Sequence, residues 1–122
     1  MQIYFAYHLP TPYEKKRRPL WAIGKKWPSA EIVDVDTAEH LAEYEHFGIN
    51  YCLDTLIPRC QILVAMPQPE LTWSPKVWEA IQQALKLGKE IYQVNGLGEL
   101  YPYGGTLQAP YRIMSDFGAQ SA

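Results

Sequence analysis

The chain has 122 residues, of which 48% are hydrophobic and 13% aromatic, and it carries a net charge of −2. This length suits a single domain over residues 1–122, and the apolar content excludes a disordered protein. No apolar run reaches the length of a membrane span, and the first residues lack the basic segment of a secretory signal. We therefore expect a soluble, cytoplasmic protein.

The charged residues are unevenly distributed. Six of the eleven basic residues fall between Lys15 and Lys26, whereas residues 31–54 hold seven acids and neither Lys nor Arg. A basic segment can recruit phosphate or nucleic acid. It can also be a solvated helix face that pairs with the acidic segment of the same chain or of a partner subunit. We favour the second explanation and expect no nucleic-acid partner, because no nucleic-acid-binding motif accompanies the charge.

The first elements in chain order are a strand and a helix. Gln2–Tyr7 is rich in aromatic and β-branched residues, which is typical of a strand. Thr11, Pro12 and Glu14 form a capping box, so we expect a helix that opens at Pro12. Pro19 is too deep for the first turn and should kink or restart that helix.

The middle of the chain predicts a strand, a helical region and a second strand. Glu31–Val35 is the second strand, and Thr37 can cap a helix that Gly48 interrupts. An apolar face then resumes until Pro58. Gln61–Met66 is almost continuously apolar, which suits a strand that is covered on both faces.

The third part of the chain predicts one more helix and strand. Ser74 caps the helix with Pro75 at its first position, and Glu90–Val94 is the fourth strand. One face of this helix is apolar and holds Val77, Ile81, Ala84, Leu85 and Gly88. Residues 95–111 are dense in Gly, Pro and Tyr and should be irregular, and we expect a short edge strand at residues 111–114.

Alternating strands and helices predict an α/β fold, with a parallel sheet of four to five strands and helices on both faces. If the strand order is 2-1-3-4, with a possible fifth strand, the order reverses between strands 1 and 3, where ligands bind beyond the carboxyl ends. Two loops, Tyr7–Pro12 and Pro67–Ser74, should border this crevice. They carry the candidate substrate-binding residues Tyr7, His8, Trp73 and Ser74.

Motif searches exclude several kinds of site. The chain has no glycine signature of Rossmann or P-loop proteins and no G-x-S-x-G elbow. Its three histidines form no metal signature, and Cys52 and Cys60 lack C-x-x-C spacing, which indicates reduced, buried thiols. We therefore expect neither a cofactor nor a metal.

Several segments resemble one known family. The motif I-Y-F-A at Ile3–Ala6, the strand ending C-Q-I-L-V-A-M, the cap Ser74, and a helix closing with Ala84, Gly88 and Lys89 look like the nucleoside 2-deoxyribosyltransferase-like superfamily. The resemblance covers the order of elements over Gln2–Val94. It implies a flavodoxin-like three-layer sandwich, subunits that complete one another's sites, and cleavage of an N-glycosidic bond by a helix-borne Glu.

The resemblance also implies roles for particular residues. Tyr4 corresponds to the family's strand-1 tyrosine, which supports the nucleophile, and Ser74 to a residue that contacts substrate. The nucleophilic Glu stands six residues after that cap, a position that Ala80 occupies here, while Glu79 is its neighbour. One residue rotates a helix position by about 100°, so Glu79 should point away from the apolar face. Asp54 is a second carboxylate, also offset by one residue.

Three functional hypotheses stay open. The first is an N-glycosidase or deoxyribosyltransferase for nucleosides or nucleotides, in which Glu79 and Tyr4 are catalytic and Asp54 helps to orient the substrate. The second is a relative that binds a nucleotide-like ligand without turnover. The third is an oligomeric assembly protein whose crevice is vestigial. A homo-oligomer is expected under the first reading as well, because family subunits share their sites.

Overall fold

The computed structural model describes residues 1–68, 72–95, 97–104 and 112–113. Its main sheet has five strands in the order β2-β1-β3-β5-β6. The strands of this sheet are β1 Gln2–Ala6, β2 Glu31–Val33, β3 Ile62–Ala65, β5 Glu90–Val94 and β6 Leu100–Pro102. A separate two-stranded sheet pairs β4 Thr72–Trp73 with β7 Arg112–Ile113 in parallel.

The helices connect the parallel strands. They are α1 Tyr13–Lys26, α2 Ala38–Phe47, α3 Ile49–Tyr51, α4 Ile57–Arg59 and α5 Pro75–Lys86. A π-helical segment, Cys52–Leu56, joins α3 to α4. The stretch β3-α5-β5 is the βαβ unit that the sequence predicts, and β1 pairs in parallel with β2 on one side and β3 on the other.

The two faces of the central strands contact different helices because side chains alternate along a strand. Ile3 and Phe5 of β1 lie in an apolar cluster with Ile23 of α1. Tyr4 and Ala6 belong to a second cluster. That cluster also contains buried residues of the π-helical segment and of α5, namely Cys52, Leu56, Val77, Ala80, Ile81 and Ala84. The continuously apolar strands are therefore buried on both faces, and the predicted α/β class is confirmed.

The sheet is mixed rather than entirely parallel, so this part of the prediction is wrong. Residues 100–102 turn back and pair antiparallel with β5, although the sequence predicts an irregular segment there. Gly98 has a φ of +81° in the turn that precedes this strand, a conformation that favours glycine. The predicted edge strand at 111–114 does include β7, but β7 pairs with β4 outside the main sheet. Residues 105–111 and the segment after 113 lie outside the described residues.

Helix α1 differs from its prediction at both prolines. Pro12 occupies the N-cap position without a side-chain cap, and the Thr11 hydroxyl donates instead to the carbonyl of His8. Pro19 lies inside a single helix that continues to Lys26. Proline removes one helical hydrogen bond, but here Pro19 is buried, as is Ile23 one turn later. Tertiary packing therefore offsets the local cost.

Helix α5 begins and ends as its sequence indicates. Ser74 is the N-cap and Pro75 the first helical residue. At the other end Gly88 has a φ of +70°, its N–H donates to the Leu85 carbonyl, and the Lys89 N–H donates to the Ala84 carbonyl. This is a Schellman motif, which requires a left-handed residue and favours glycine. The prediction that Leu85 belongs to the buried face is wrong, since it is half exposed.

Candidate functional site

Two cavities lie at the carboxyl ends of β1 and β3, one on each side of the sheet. The first, which we call the α5 cavity, has a volume of about 170 Å³ and lies between the end of β1 and the first turns of α5. Four residues that the sequence nominates line it: Tyr4, Tyr7, His8 and Ser74. The structure therefore brings together most of the candidate residues from the two predicted loops and the first strand.

Tyr4 lies at the base of the α5 cavity and is only 4% exposed. A side-chain hydrogen bond links it to Cys52, which also lines the cavity. Burial, and then the neighbouring thiol, raise the pKa of Tyr4 well above its ordinary value. Burial also raises the pKa of Cys52, although the bond to Tyr4 and the charge of Lys76 oppose this shift. Both groups are therefore neutral at physiological pH, and Cys52 is a poor nucleophile.

Ser74 lies at the N-terminus of α5, where its side chain caps the helix. Its Oγ accepts a hydrogen bond from the Val77 N–H at 3.3 Å, and the side chain is buried. The positive end of the helix dipole therefore points towards the cavity through this residue. Ser74 is thus both a structural cap and a polar group on the cavity wall.

Replacing Ser74 by alanine tests the capping role. We expect Ser74→Ala to lower the free energy of unfolding by about 1 kcal/mol, because the Val77 N–H loses its acceptor. Ser74→Thr keeps a hydroxyl acceptor and should retain most of the stability. Urea denaturation of the two variants measures the difference, and an equal loss in both would mean that packing rather than capping stabilises this end of α5.

Ala80 lines the α5 cavity, whereas Glu79 does not. Ala80 is 1% exposed, and Glu79 is exposed to solvent. This is the orientation that the helical period predicts for the two positions. No Asp or Glu is among the described residues that line this cavity. The structure therefore does not bring the candidate nucleophile Glu79 to the residues it was expected to work with.

Two further candidates lie away from the cavity. Asp54 is exposed on the π-helical segment and lines neither cavity. Trp73 is fully buried in the cluster beneath α5, where its ring lies 6.4 Å from the ring of Tyr103. The Trp73 side chain is buried in the core and lines neither cavity, so its ring face is not available for stacking on a ligand in either of them. Tyr103 is partly buried and packs against the same cluster.

Tyr7 belongs to a buried polar network that the sequence does not predict. Its hydroxyl donates to Asp34, and the Lys16 ammonium donates to the Tyr7 oxygen at 2.9 Å and to Asp34 at 3.3 Å. Lys16 also lies 3.9 Å from a carboxylate oxygen of Asp36. Burial, and then the bond to Asp34, raise the pKa of Tyr7. The network fixes the Tyr7 ring where it forms part of the cavity wall.

A sequence signal for Lys16 existed within the basic segment. Lys16, Pro19 and Ile23 are spaced at i, i+3 and i+7, which places them on one helix face, and all three are buried. The favoured explanation, a solvated basic face paired with the acidic segment, is thus correct only in part: Lys16 does pair with Asp34 and Asp36 of that segment, but it is buried rather than solvated.

The second cavity, which we call the α1 cavity, has a volume of about 560 Å³. It lies on the other side of the sheet, between the first turns of α1 and the ends of β3 and β5. Its charged lining residues are Glu14, Lys15, Arg17 and Arg18. His8 lines both cavities and is exposed between them.

Across residues 1–68, 72–95, 97–104 and 112–113, no group of three or more His, Cys, Asp or Glu side chains is arranged to hold a metal ion. Within the same residues, no helix has the length and apolarity needed to cross a bilayer. Comparison with known proteins gives no family model that matches this chain and no match among curated sequences.

Proposed function

We propose that this protein binds a nucleoside- or nucleotide-like small molecule in the α5 cavity without cleaving it. The observation that carries this proposal is the placement of Tyr4, Ser74 and Ala80 around one cavity. By the resemblance to nucleoside 2-deoxyribosyltransferases, Tyr4 corresponds to the tyrosine that supports the nucleophile, and Ser74 to a residue that contacts substrate. Ala80 is at the nucleophile's position, and it holds a methyl group instead of a carboxylate.

The residues that line the α5 cavity support ligand binding more strongly than catalysis. Cleavage of an N-glycosidic bond leaves an oxocarbenium-like sugar that a carboxylate traps or stabilises. The described lining of this cavity contains no acid, and Cys52 is held as a neutral thiol by burial. An N-glycosidase or deoxyribosyltransferase would require Glu79 to enter the cavity, which means turning α5 by about one residue, or roughly 100°.

The size of the cavity limits how a ligand enters. Sites that enclose a whole drug-sized ligand usually have volumes of about 300–1,000 Å³, whereas an apolar cavity of roughly 150 Å³ holds a benzene ring. A cavity of about 170 Å³ therefore accommodates one ring, a sugar or a pyrimidine. The rest of the ligand would extend past His8 at the rim.

The position of the cavity in the fold supports the same proposal. We infer a flavodoxin-like three-layer arrangement, in which the strand order reverses between β1 and β3. Ligands of open α/β sheets bind beyond the carboxyl ends of the strands at such a reversal. The α5 cavity adjoins the residues that follow β1 and precede α5, as this rule requires.

The proposal includes self-association, because in the family that this chain resembles the subunits complete one another's sites. Five large apolar side chains are exposed on three helices and the turn after α5: Tyr13, Trp21, Phe47, Leu85 and Leu87. Exposed apolar surface of this kind is compatible with an interface.

Ligand binding can be tested by thermal shift with a panel of nucleosides and nucleoside monophosphates, with chromatography for free base. We expect at least one ligand to stabilise the wild-type protein, by about 2.7 kcal/mol at a hundredfold excess over Kd, and no base to be released. Ala80→Leu adds a branched apolar side chain to the cavity wall, so it should weaken binding and reduce the shift at a given ligand concentration. Ala42→Leu makes the same change at an exposed position of α2 that lines neither cavity, and should leave the shift intact.

Each outcome of this experiment separates the hypotheses. If no ligand in the panel shifts the melting temperature, the proposed function is wrong. If free base appears and Glu79→Ala stops its release, the enzyme hypothesis replaces it. If Ala80→Leu still binds as well as wild type, the ligand occupies another part of the molecule.

A further inference from the structure

The α1 cavity is larger than the α5 cavity and has a different chemical character. Its volume of about 560 Å³ falls within the usual range of about 300–1,000 Å³ for small-molecule sites. The Pro10–Pro12 segment and the first turns of α1 form one wall. Residues 66–68 after β3 and the turn after β5 form the other.

Three cationic side chains and one anionic side chain line the α1 cavity. Lys15, Arg17 and Arg18 give it a positive charge that Glu14 only partly offsets. Within the described parts of the chain, neither Lys15, Arg17 nor Arg18 has a carboxylate oxygen within 4 Å. The other basic residues of the same helix are used differently, since Lys16 is buried in its network and Lys25 lies over the Trp21 ring. The charge is therefore concentrated at one end of α1, beside the cavity.

The position of Arg18 is fixed by the opposite wall. Its guanidinium donates to the Leu97 carbonyl at 3.4 Å. A Cβ atom added to Gly98 would lie 2.9 Å from the Cβ of Arg18, so a glycine is needed for the turn to approach the helix this closely. Asn95 shapes the same turn by accepting hydrogen bonds from the N–H groups of Leu97 and Glu99. The turn after β5 therefore positions the guanidinium of Arg18 beside the cavity.

We propose that the α1 cavity is a second binding site, for a small molecule that carries two or more negative charges in a phosphate or diphosphate group. Arginine and lysine are the side chains that bind such groups, and three cations at a concave site, with no carboxylate neighbour among the described residues, favour a multiply charged anion over a neutral ligand. The N-terminal turn of α1 faces the same cavity and adds a partial positive charge. This site does not depend on what the α5 cavity binds.

The concave shape favours a small anion over a nucleic acid. Nucleic-acid-binding surfaces present basic residues as a patch or stripe along a face. Here Lys15, Arg17 and Arg18 border a cavity, while Lys25 and Lys26 at the far end of α1 do not.

Calorimetric titration with inorganic pyrophosphate tests this inference. We expect binding that weakens as salt increases, and a loss of about tenfold or more in affinity for the double variant Lys15→Gln/Arg17→Gln, because each charge-assisted contact contributes over a kcal/mol. The matched control, Lys25→Gln/Lys26→Gln, removes the same charge from the same helix outside the cavity and should lose less than about threefold. Ala80→Leu should leave pyrophosphate binding unchanged.

Three results would overturn the proposal. Wild-type protein that does not bind pyrophosphate has no such site. An equal loss in both double variants would show general electrostatic attraction rather than a site. Tighter binding of a single-stranded oligonucleotide, weakened equally by both double variants, would assign the basic helix to nucleic acid. Melting temperatures of both variants identify any loss that comes from unfolding.

Discussion

Lys16→Met is expected to lower the free energy of unfolding by about 3 kcal/mol, a large effect for a substitution in a helix that looks solvated in sequence. Lys16 is 6% exposed and is the cation nearest to Asp34. Removing it leaves the Asp34 carboxylate largely buried, with the Tyr7 hydroxyl and the Asp36 N–H as its hydrogen-bond donors among the described residues. An uncompensated buried charge is the costly feature, since a methionine fills much of the space that the lysine stem occupied.

A double-mutant cycle isolates the ion pair. Asp34→Asn removes the negative charge while keeping the shape of the side chain. Lys16→Met combined with Asp34→Asn should therefore be more stable than the sum of the two single changes predicts, by about 1–3 kcal/mol. Lys15→Met, at the exposed neighbouring position, should change stability by no more than about 0.5 kcal/mol. Urea denaturation measures all four variants, and additive losses would mean that Lys16 and Asp34 do not stabilise one another.

The central strands could be predicted because a short run of consecutive apolar residues is best explained by a strand that is buried on both faces. Residues 62–65 are buried without exception, so a strand covered on one face alone could not accommodate them. The Ser74-Pro75 start and the Gly88 end of α5 could be predicted for a similar reason. Each depends on a local backbone requirement, an N-cap acceptor or a left-handed residue, that few residue types satisfy.

The features that sequence reasoning missed depend on distant contacts. Residues 100–102 form a strand because β5 offers them an unpaired edge, which no local propensity records. Trp73 enters the core because β4 pairs with a strand about forty residues later in the chain. The run of basic residues favours a solvated face for Lys16, whereas its helical spacing with Pro19 and Ile23 indicates the buried face, and the second signal is the correct one. A buried lysine needs an anionic partner. For Lys16 that partner is Asp34, which directly follows β2 and lies outside the helix that carries Lys16.

The candidate site was predicted in position and only partly in residues. The loop after β1 and the cap of α5 do meet at one cavity, because the carboxyl ends of parallel strands share an edge of the sheet. In the sequence, Ala80 occupies the nucleophile's position and Glu79 is its neighbour. In the structure Ala80 is buried and Glu79 is exposed, as the helical period predicts. The walls of the α1 cavity come from three segments: residues 8–19, residues 66–68, and the end of β5 with the turn after it. The first two overlap the loops predicted to border the crevice, whereas the turn after β5 was not expected there.

If the α5 cavity binds a nucleoside as proposed, Ala80→Glu is expected to give it weak N-glycosidase activity. The substitution places a carboxylate beside Tyr4 and Ser74, at the position from which the resembling family attacks the sugar. A carboxylate there can trap an oxocarbenium-like sugar as the base departs. We expect release of free base from a nucleoside that binds the wild-type protein, at a rate roughly tenfold or more above that of Ala80→Gln, which corresponds to at least about 1.4 kcal/mol of barrier.

The new charge should also reduce stability, which provides an independent measurement. Ala80 is 1% exposed, and a carboxylate taken out of water costs several kcal/mol unless it is paired. The loss in unfolding free energy should be smaller at pH 5 than at pH 8, because a buried carboxyl group that is protonated avoids much of this cost. Ala80→Gln should show no such pH dependence. If a folded Ala80→Glu protein still binds the nucleoside but releases no more base than Ala80→Gln, position 80 is not where a carboxylate can act on the sugar, and the correspondence with the nucleophile of nucleoside 2-deoxyribosyltransferases is rejected.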